Sequence, residues 1–290
     1  MTSIEGRPAV AAVRVPAAGL RHQVRAATVV WQREMIRFSR DRARVLSSLM
    51  QPVLFLFVLG TGLSSLVGQP SVGDVDFRTF LFPGVLATSV LFTAAFSGIS
   101  MVWDREFGFL REMLVAPVSS AAILTGKCVG GATVATLQSL VILLLAPLVG
   151  VPYDLLMMVE LVGLLFLMAF MITALALVLA ARVKQVQAAM PMVQLIITPL
   201  MFLSGALFPL ANLPRWLEIA TRLNPMTYAV EPMRSAVFDH LDVGPVTRAA
   251  FDPGITWGDW PVPVPLQVAL VAASCLLLLV LAVLRFARTE

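Results

Sequence analysis

The sequence predicts an all-α integral membrane protein with six transmembrane helices. An N-terminal amphipathic interfacial helix precedes them, and short re-entrant helices lie between the fifth and sixth spans. Three observations lead there. Of 290 residues, 59% are hydrophobic and 13% charged, against about 25% charged in soluble globular chains. The mean hydropathy is +0.89. Six apolar runs, each close to or longer than the roughly 20 residues that cross about 30 Å of hydrocarbon, punctuate the chain.

Residues 1–19 are rich in Pro, Ala and Val without periodicity and read as a flexible tail with no apolar signal segment, so no cleavage is expected. Across 20–45 the pattern changes. Val24, Ala27, Trp31, Met35 and Phe38 make one apolar stripe, while Arg33, Arg37 and Arg40 fall opposite. This predicts a helix in the headgroup layer, with its arginines facing phosphates or a protein; a basic lead-in that only fixes topology is the alternative. Spans are expected near 46–67, 80–102, 121–149, 155–181, 188–208 and 266–286, the third and fourth long enough to tilt or project.

Between the second and third spans lies WDREFGFLREMLVAP, Trp103 to Pro117. At 100° per residue Trp103, Phe107, Leu110 and Leu114 share one side, and Asp104, Arg105, Gly108, Arg111 and Glu112 the other, so a short amphipathic helix over 103–117 is expected. Glu106 breaks the pattern by projecting toward the apolar half, where a carboxylate needs a partner or water. All but five of the 21 Lys and Arg lie in the N-terminal segment, the Trp103 to Lys127 region, the Arg182–Lys184 turn and the C-terminal tail; the five are Arg78, Arg215, Arg222, Arg234 and Arg248. Both termini are therefore expected in the cytoplasm. On the outer side, Pro214 and Pro225 predict starts for two helices within 213–238, each too short to span, followed by an exposed loop over 239–265. Pro191, Pro199, Gly205 and Pro209 are expected to interrupt span five, and Pro232 the second short helix.

Several function classes find no support. No G-x-x-x-x-G-K-[ST] phosphate loop occurs, since GTGLSS and GGATVAT lack the lysine and the spacing, so ATP is not expected on this chain. There is no H-E-x-x-H, no G-x-S-x-G and no convergent carboxylate pair, hence no catalytic residues and no metal site. Cys128 and Cys275 read as packing residues, and His22 and His240 lie too far apart in sequence to suggest a shared metal. No aromatic-interleaved basic patch suggests nucleic acid. Glu160 is the intramembrane charge singled out; it snorkels to the headgroups or serves substrate or proton binding. Small hydroxyls in span two (Thr88, Ser89, Thr93, Ser97, with Phe92 and Phe96 between them) and Gln194, Thr198, Met201 and Ser204 in span five are candidates for a substrate pathway. Helix packing is the competing role for the small polar residues.

The runs PGVLATSVLFTAAFSGISMVWDREFGFLREMLVAPVSSAAILTGK, Pro83 to Lys127, and LNPMTYAVEPMRSAVF, Leu223 to Phe238, resemble the ABC-2-type permeases, particularly the daunorubicin-resistance-type drug exporters. The resemblance implies a half-transporter in a bacterial inner membrane. Two cytoplasmic ATPase subunits, which bind the ATP and Mg, and a second permease copy, taken as a homodimer, would complete it among membrane lipids. It makes 103–117 the coupling helix. Arg33, Arg37, Arg40, Asp104, Arg105, Glu106, Gly108, Leu110, Arg111 and Leu114 would then lie at or near the ATPase. Asn224, Pro225, Tyr228, Glu231, Pro232 and Arg234 would form an outer gate. The expected cargo is an amphiphilic small molecule, such as a drug or antibiotic, or a lipid. A polysaccharide or glycolipid exporter on the same fold and an ion-coupled carrier are the competing functions.

Overall fold

The computed structural model describes residues 19–66, 76–108, 118–183, 185–210, 213–241, 243–258 and 260–287. The N-terminal tail, most of the 103–117 stretch and residues 67–75 lie outside the described residues.

Helix α1, Leu20–Arg40, leads into α2, Arg42–Leu54, a π-helical turn at Phe55–Leu59 and α3, Gly60–Leu66. Next come α4, Phe77–Glu106, α5, Ser120–Leu143, α6, Leu155–Ala180, and α7, Val186–Phe202. Three short helices follow, α8, Arg215–Leu223, α9, Thr227–Asp239, and α10, Pro245–Phe251. A two-residue hairpin, β1 Thr256–Trp257 against β2 Trp260–Pro261, then precedes α11, Val264–Ala287.

Among the described residues, five helical stretches are long and apolar enough to cross a bilayer: Val45–Leu63, α4, α5, α6 and α11. α7, expected as span five over 188–208, has 17 residues and ends at Phe202, short of the roughly 20 a perpendicular crossing takes. The anticipated breakers act unevenly. Pro191 and Pro199 stay inside α7 and Pro232 inside α9, while Gly205, at φ +73°, sits where the chain turns after α7. Span three is likewise shorter than expected. Its helix stops at Leu143, and Ala146–Val149 is a 3₁₀ turn held by the Thr79 hydroxyl donating to the Val149 carbonyl at 2.6 Å.

α4 and α6 form the centre, with α5, α7, α9 and α11 packed around them. Lipid tails are as apolar as leucine, so association in a membrane depends on close packing. Glycines supply it: a Cβ on Gly126 of α5 would lie 2.6 Å from the Ala27 carbonyl oxygen and 2.9 Å from the Val30 Cβ. α1 therefore beds along α5 through Ala27, Val30 and Glu34. Val24, placed in the apolar stripe by periodicity, is 59% exposed, because the glycine groove selects a rotated face.

The segment 239–265, expected as an exposed loop, instead folds over the bundle end as a cap. Phe251 stacks on Phe80 and Phe77 with centroids 5.2 and 6.4 Å away, and Ile255 and Val262 are buried.

Candidate functional site

The charged stretch begins as the last turn of α4, not as a separate helix. Trp103 to Glu106 continue α4, and Gly108, at φ +83°, follows its end. Asp104 consequently points inward and is 3% exposed. Its Oδ2 lies 2.5 Å from Arg33 Nη2 of α1 and 2.6 Å from Lys127 Nζ of α5. Lys127 Nζ also reaches Glu34 Oε1 at 3.1 Å and donates to Ser100 Oγ at 2.8 Å. An ammonium has three donors and no acceptor, and here three acceptors take them. Two cations and two anions thus balance at the junction of α1, α4 and α5.

The next two residues tie α4 to the turn between α6 and α7. Arg105 Nη1 donates to the carbonyls of Ala181 and Val183 at 3.2 and 3.0 Å, and the guanidinium lies 5.2 Å from the Phe286 ring centre. Glu106 Oε2 accepts the Val186 N–H at 2.8 Å. A cation therefore meets the carbonyl end of α6 and a carboxylate the N–H end of α7, the complementary pairing for helix dipoles. Glu106 was expected to need a partner, and the start of α7 provides it. Arg37 stacks over Trp103 at 5.4 Å, Arg40 is exposed, and Leu110, Arg111 and Leu114 lie outside the described residues.

Beside the cluster, α1, α2, α4, α5 and α7 enclose a cavity of about 340 Å³. Ser89, Phe92, Thr93, Phe96, Ser97 and Gln194, all named from sequence, line it. The other four pathway candidates do not. Thr88 is buried and bonds the Val85 carbonyl, Thr198 accepts from Gln194 at 3.1 Å, and Ser204 and Met201 are buried against each other. Ser89 and Thr93, one helical turn apart, have buried hydroxyl oxygens with no protein partner. Ser48, Gln51 and Gln138 complete the polar wall, with Arg37 and Asp41 at the α1 side. Arg37 was named from sequence for the ATPase contact, while Ser48, Gln51, Gln138 and Asp41, with Glu34 and Lys127, were missed as site residues. Lys127 could have been found as a lysine well inside an apolar run, and Glu34 as a carboxylate in an apolar stripe.

At the opposite end, Asn224 bonds the Leu200 carbonyl through Nδ2 at 2.8 Å and accepts Met226 N–H at 3.0 Å; Pro225 lies in that turn. Tyr228 donates to the Arg222 carbonyl at 2.8 Å and accepts from Trp257 Nε1 at 2.9 Å. Arg234, fully buried, bonds the Gly205 carbonyl, pairs with Glu231 at 3.3 Å and lies 4.6 Å from the Phe80 ring centre. Pro232, inside α9, is buried as well. Glu160 is exposed on α6, and among the described residues no His, Cys, Asp or Glu group could hold a metal.

A family model described as ABC-2 type transporter matches residues 25–238. The ycf38 protein of Cyanophora paradoxa, described as a transport permease, is 30% identical over 210 residues, 71% of this chain and 72% of the relative. Nodulation protein J of Rhizobium leguminosarum bv. trifolii is 31% identical over 219 residues, 73% of this chain and 80% of the relative. Nodulation protein J of Neorhizobium galegae is 30% identical over 215 residues, covering 73% and 80%.

Proposed function

The chain belongs to the ABC-2 type transporter family, and on that premise we propose that it is the membrane subunit of an ATP-driven exporter of amphiphilic small molecules or lipids. The cavity is the observation that carries this reading. Its wall sets Phe92, Phe96, Val134 and Pro52 beside the neutral amides Gln51, Gln138 and Gln194 and the α4 hydroxyls. An apolar surface with a few fixed polar groups, among them the charged Glu34, Arg37 and Asp41 at the α1 side, suits a molecule with a hydrocarbon body and a polar head. From Ser89 to Ser100 the α4 wall runs about 16 Å at 1.5 Å per residue, long enough for an elongated cargo. The amides also favour a second reading, a glycolipid or polysaccharide chain, because neutral amides and hydroxyls match sugar hydroxyls in donor and acceptor character.

Energy enters from another chain in this account, because no phosphate loop exists here. Two cytoplasmic ATPase subunits would dock against α1 and the segment after Gly108, in a complex with a second permease copy in a bacterial inner membrane and both termini cytoplasmic. α7 would then serve as a short span five, matched by local thinning of the bilayer. The ion cluster and the Arg105 and Glu106 ties support transmission: displacement of the α4 end carries α1, α5 and the α6–α7 turn with it. Substrate and ATP can be coupled only if they favour different conformers.

The test separates substrate binding from packing. Ser89 and Thr93 hydroxyls make no protein hydrogen bond, so Ser89→Ala with Thr93→Val should leave the unfolding midpoint unchanged or raised. Each hydrogen bond to cargo is worth about 1 kcal/mol, so losing two should weaken cargo-stimulated ATPase affinity about thirtyfold. Unchanged affinity for lipids, drugs and glycolipids alike would refute the cavity as the binding site.

A further inference from the structure

Two buried carboxyl groups lie on one face of α9 beneath the cap. Glu231, on α9, is 1% exposed, and its Oε2 lies 3.3 Å from Arg234 Nη1. Asp252 closes α10; its Oδ2 takes the Ser235 hydroxyl at 3.3 Å and sits 4.0 Å from Arg248 Nε. Each carboxyl nevertheless keeps one buried oxygen, Glu231 Oε1 and Asp252 Oδ1, that no N–H or hydroxyl reaches. Ser235, which bonds Asp252, lies one helical turn after Glu231, so both carboxyls meet the same face of α9.

A carboxylate oxygen buried without a donor is costly, and two carboxylates cannot satisfy each other because both only accept; a single proton on one of them supplies the missing donor. The charges around the pair point the same way. Arg234 from α9 and Arg248 from α10 are the cations acting on it, and Arg248 is already paired with Asp239. α4 contributes the Phe80 ring, which lies over Arg234 and excludes water. One buried arginine is left to offset two carboxylates.

We propose that Glu231 and Asp252 form a proton-binding site in which one shared proton clamps α9 to the end of α10 and the hairpin that follows. The site is distinct from the cavity and from the ion cluster, and its existence does not rest on the transport reading. Under that reading the cap is the outer gate, and external acidity sets how firmly it closes.

α9 and α10 are too short to span a bilayer, so the pair belongs to the cap. Burial pushes the Glu231 carboxyl up from 4.5 to about 7, Arg234 pulling against it, and burial likewise raises Asp252. A raised carboxyl favours the closed cap while protonated. The clamp is therefore complete below the ordinary carboxylate range and is lost as pH rises to about 7, the pair titrating as a unit.

The experiment is hydrogen exchange of the full chain in nanodiscs from pH 5 to 8, corrected for intrinsic exchange and followed over residues 227–258. One linked proton predicts that cap opening increases about tenfold per pH unit between pH 5 and 7 and then levels off. Glu231→Gln, whose amide donates to Asp252 without a titrating proton, should give a protected cap and a flat profile; Asp252→Asn should flatten it from the other side. A flat wild-type profile overturns the proposal. So does a wild-type slope that persists in whichever of the two variants folds. Transport activity enters neither outcome, so failure of the exporter function would be seen separately.

Discussion

Lys127 holds the α1 end of the fold together, with its ammonium shared by Asp104, Glu34 and Ser100 at 1% exposure. Lys127→Met would leave two buried carboxylates with Arg33 as their remaining cation. Removing one partner from a buried ion network costs about 3–5 kcal/mol, so chemical unfolding in detergent should show a loss near 3 kcal/mol, partly recovered by adding Glu34→Gln. An unchanged midpoint would show the network to be energetically idle. The misfit at Glu106 was legible in the sequence as a carboxylate needing a partner. Its partner was not, because Val186 lies 80 residues on and meets Glu106 only through the packing of α4 and α6. The same holds for Asp104, which periodicity placed toward water. A wheel drawn on 103–117 alone cannot register that these residues extend α4 and inherit its buried face.

Elements were read more readily than their ends. Apolar run length located α4, α5, α6 and α11 to within a few residues, apart from the 3₁₀ turn that shortens α5. The end of α7 was misjudged because the apolar run continues through Leu203 to Phe208 after the helix has stopped. α1 was recognised as amphipathic, but its packed face was decided by glycines on another helix. Gly126→Val should therefore act on α1 selectively. A Cβ there sits 2.6 Å from the Ala27 carbonyl, where backbone cannot give way cheaply. Overpacking of this kind costs typically 1–3 kcal/mol, so α1 amides should lose about tenfold in exchange protection while α6 keeps its own. Uniform loss across both helices would contradict a local role for the groove.

At the scale of the whole molecule, the five long helices and shorter α7 place two polar systems at opposite ends of α4. One is the balanced ion cluster where α1, α4 and α5 meet, and the other is the carboxyl pair under the cap. The cavity opens beside the first. The all-α membrane class could be read from hydropathy alone, though five rather than six helical stretches among the described residues are long enough to span, and six of ten pathway candidates converge on one wall because they share a face of α4 or the neighbouring face of α7. The contribution of α1, α2 and α5 to that wall depends on tertiary placement, which hydropathy does not encode. The central claim is that cargo passes through this cavity under ATP from a partner subunit. Gln194 is exposed and lines the cavity, so Gln194→Trp should fill it without disturbing the core. The decisive measurement is ATP-dependent export by proteoliposomes holding this variant with its ATPase partner. The account predicts normal assembly and basal ATP hydrolysis with export abolished; export at the wild-type rate would contradict it.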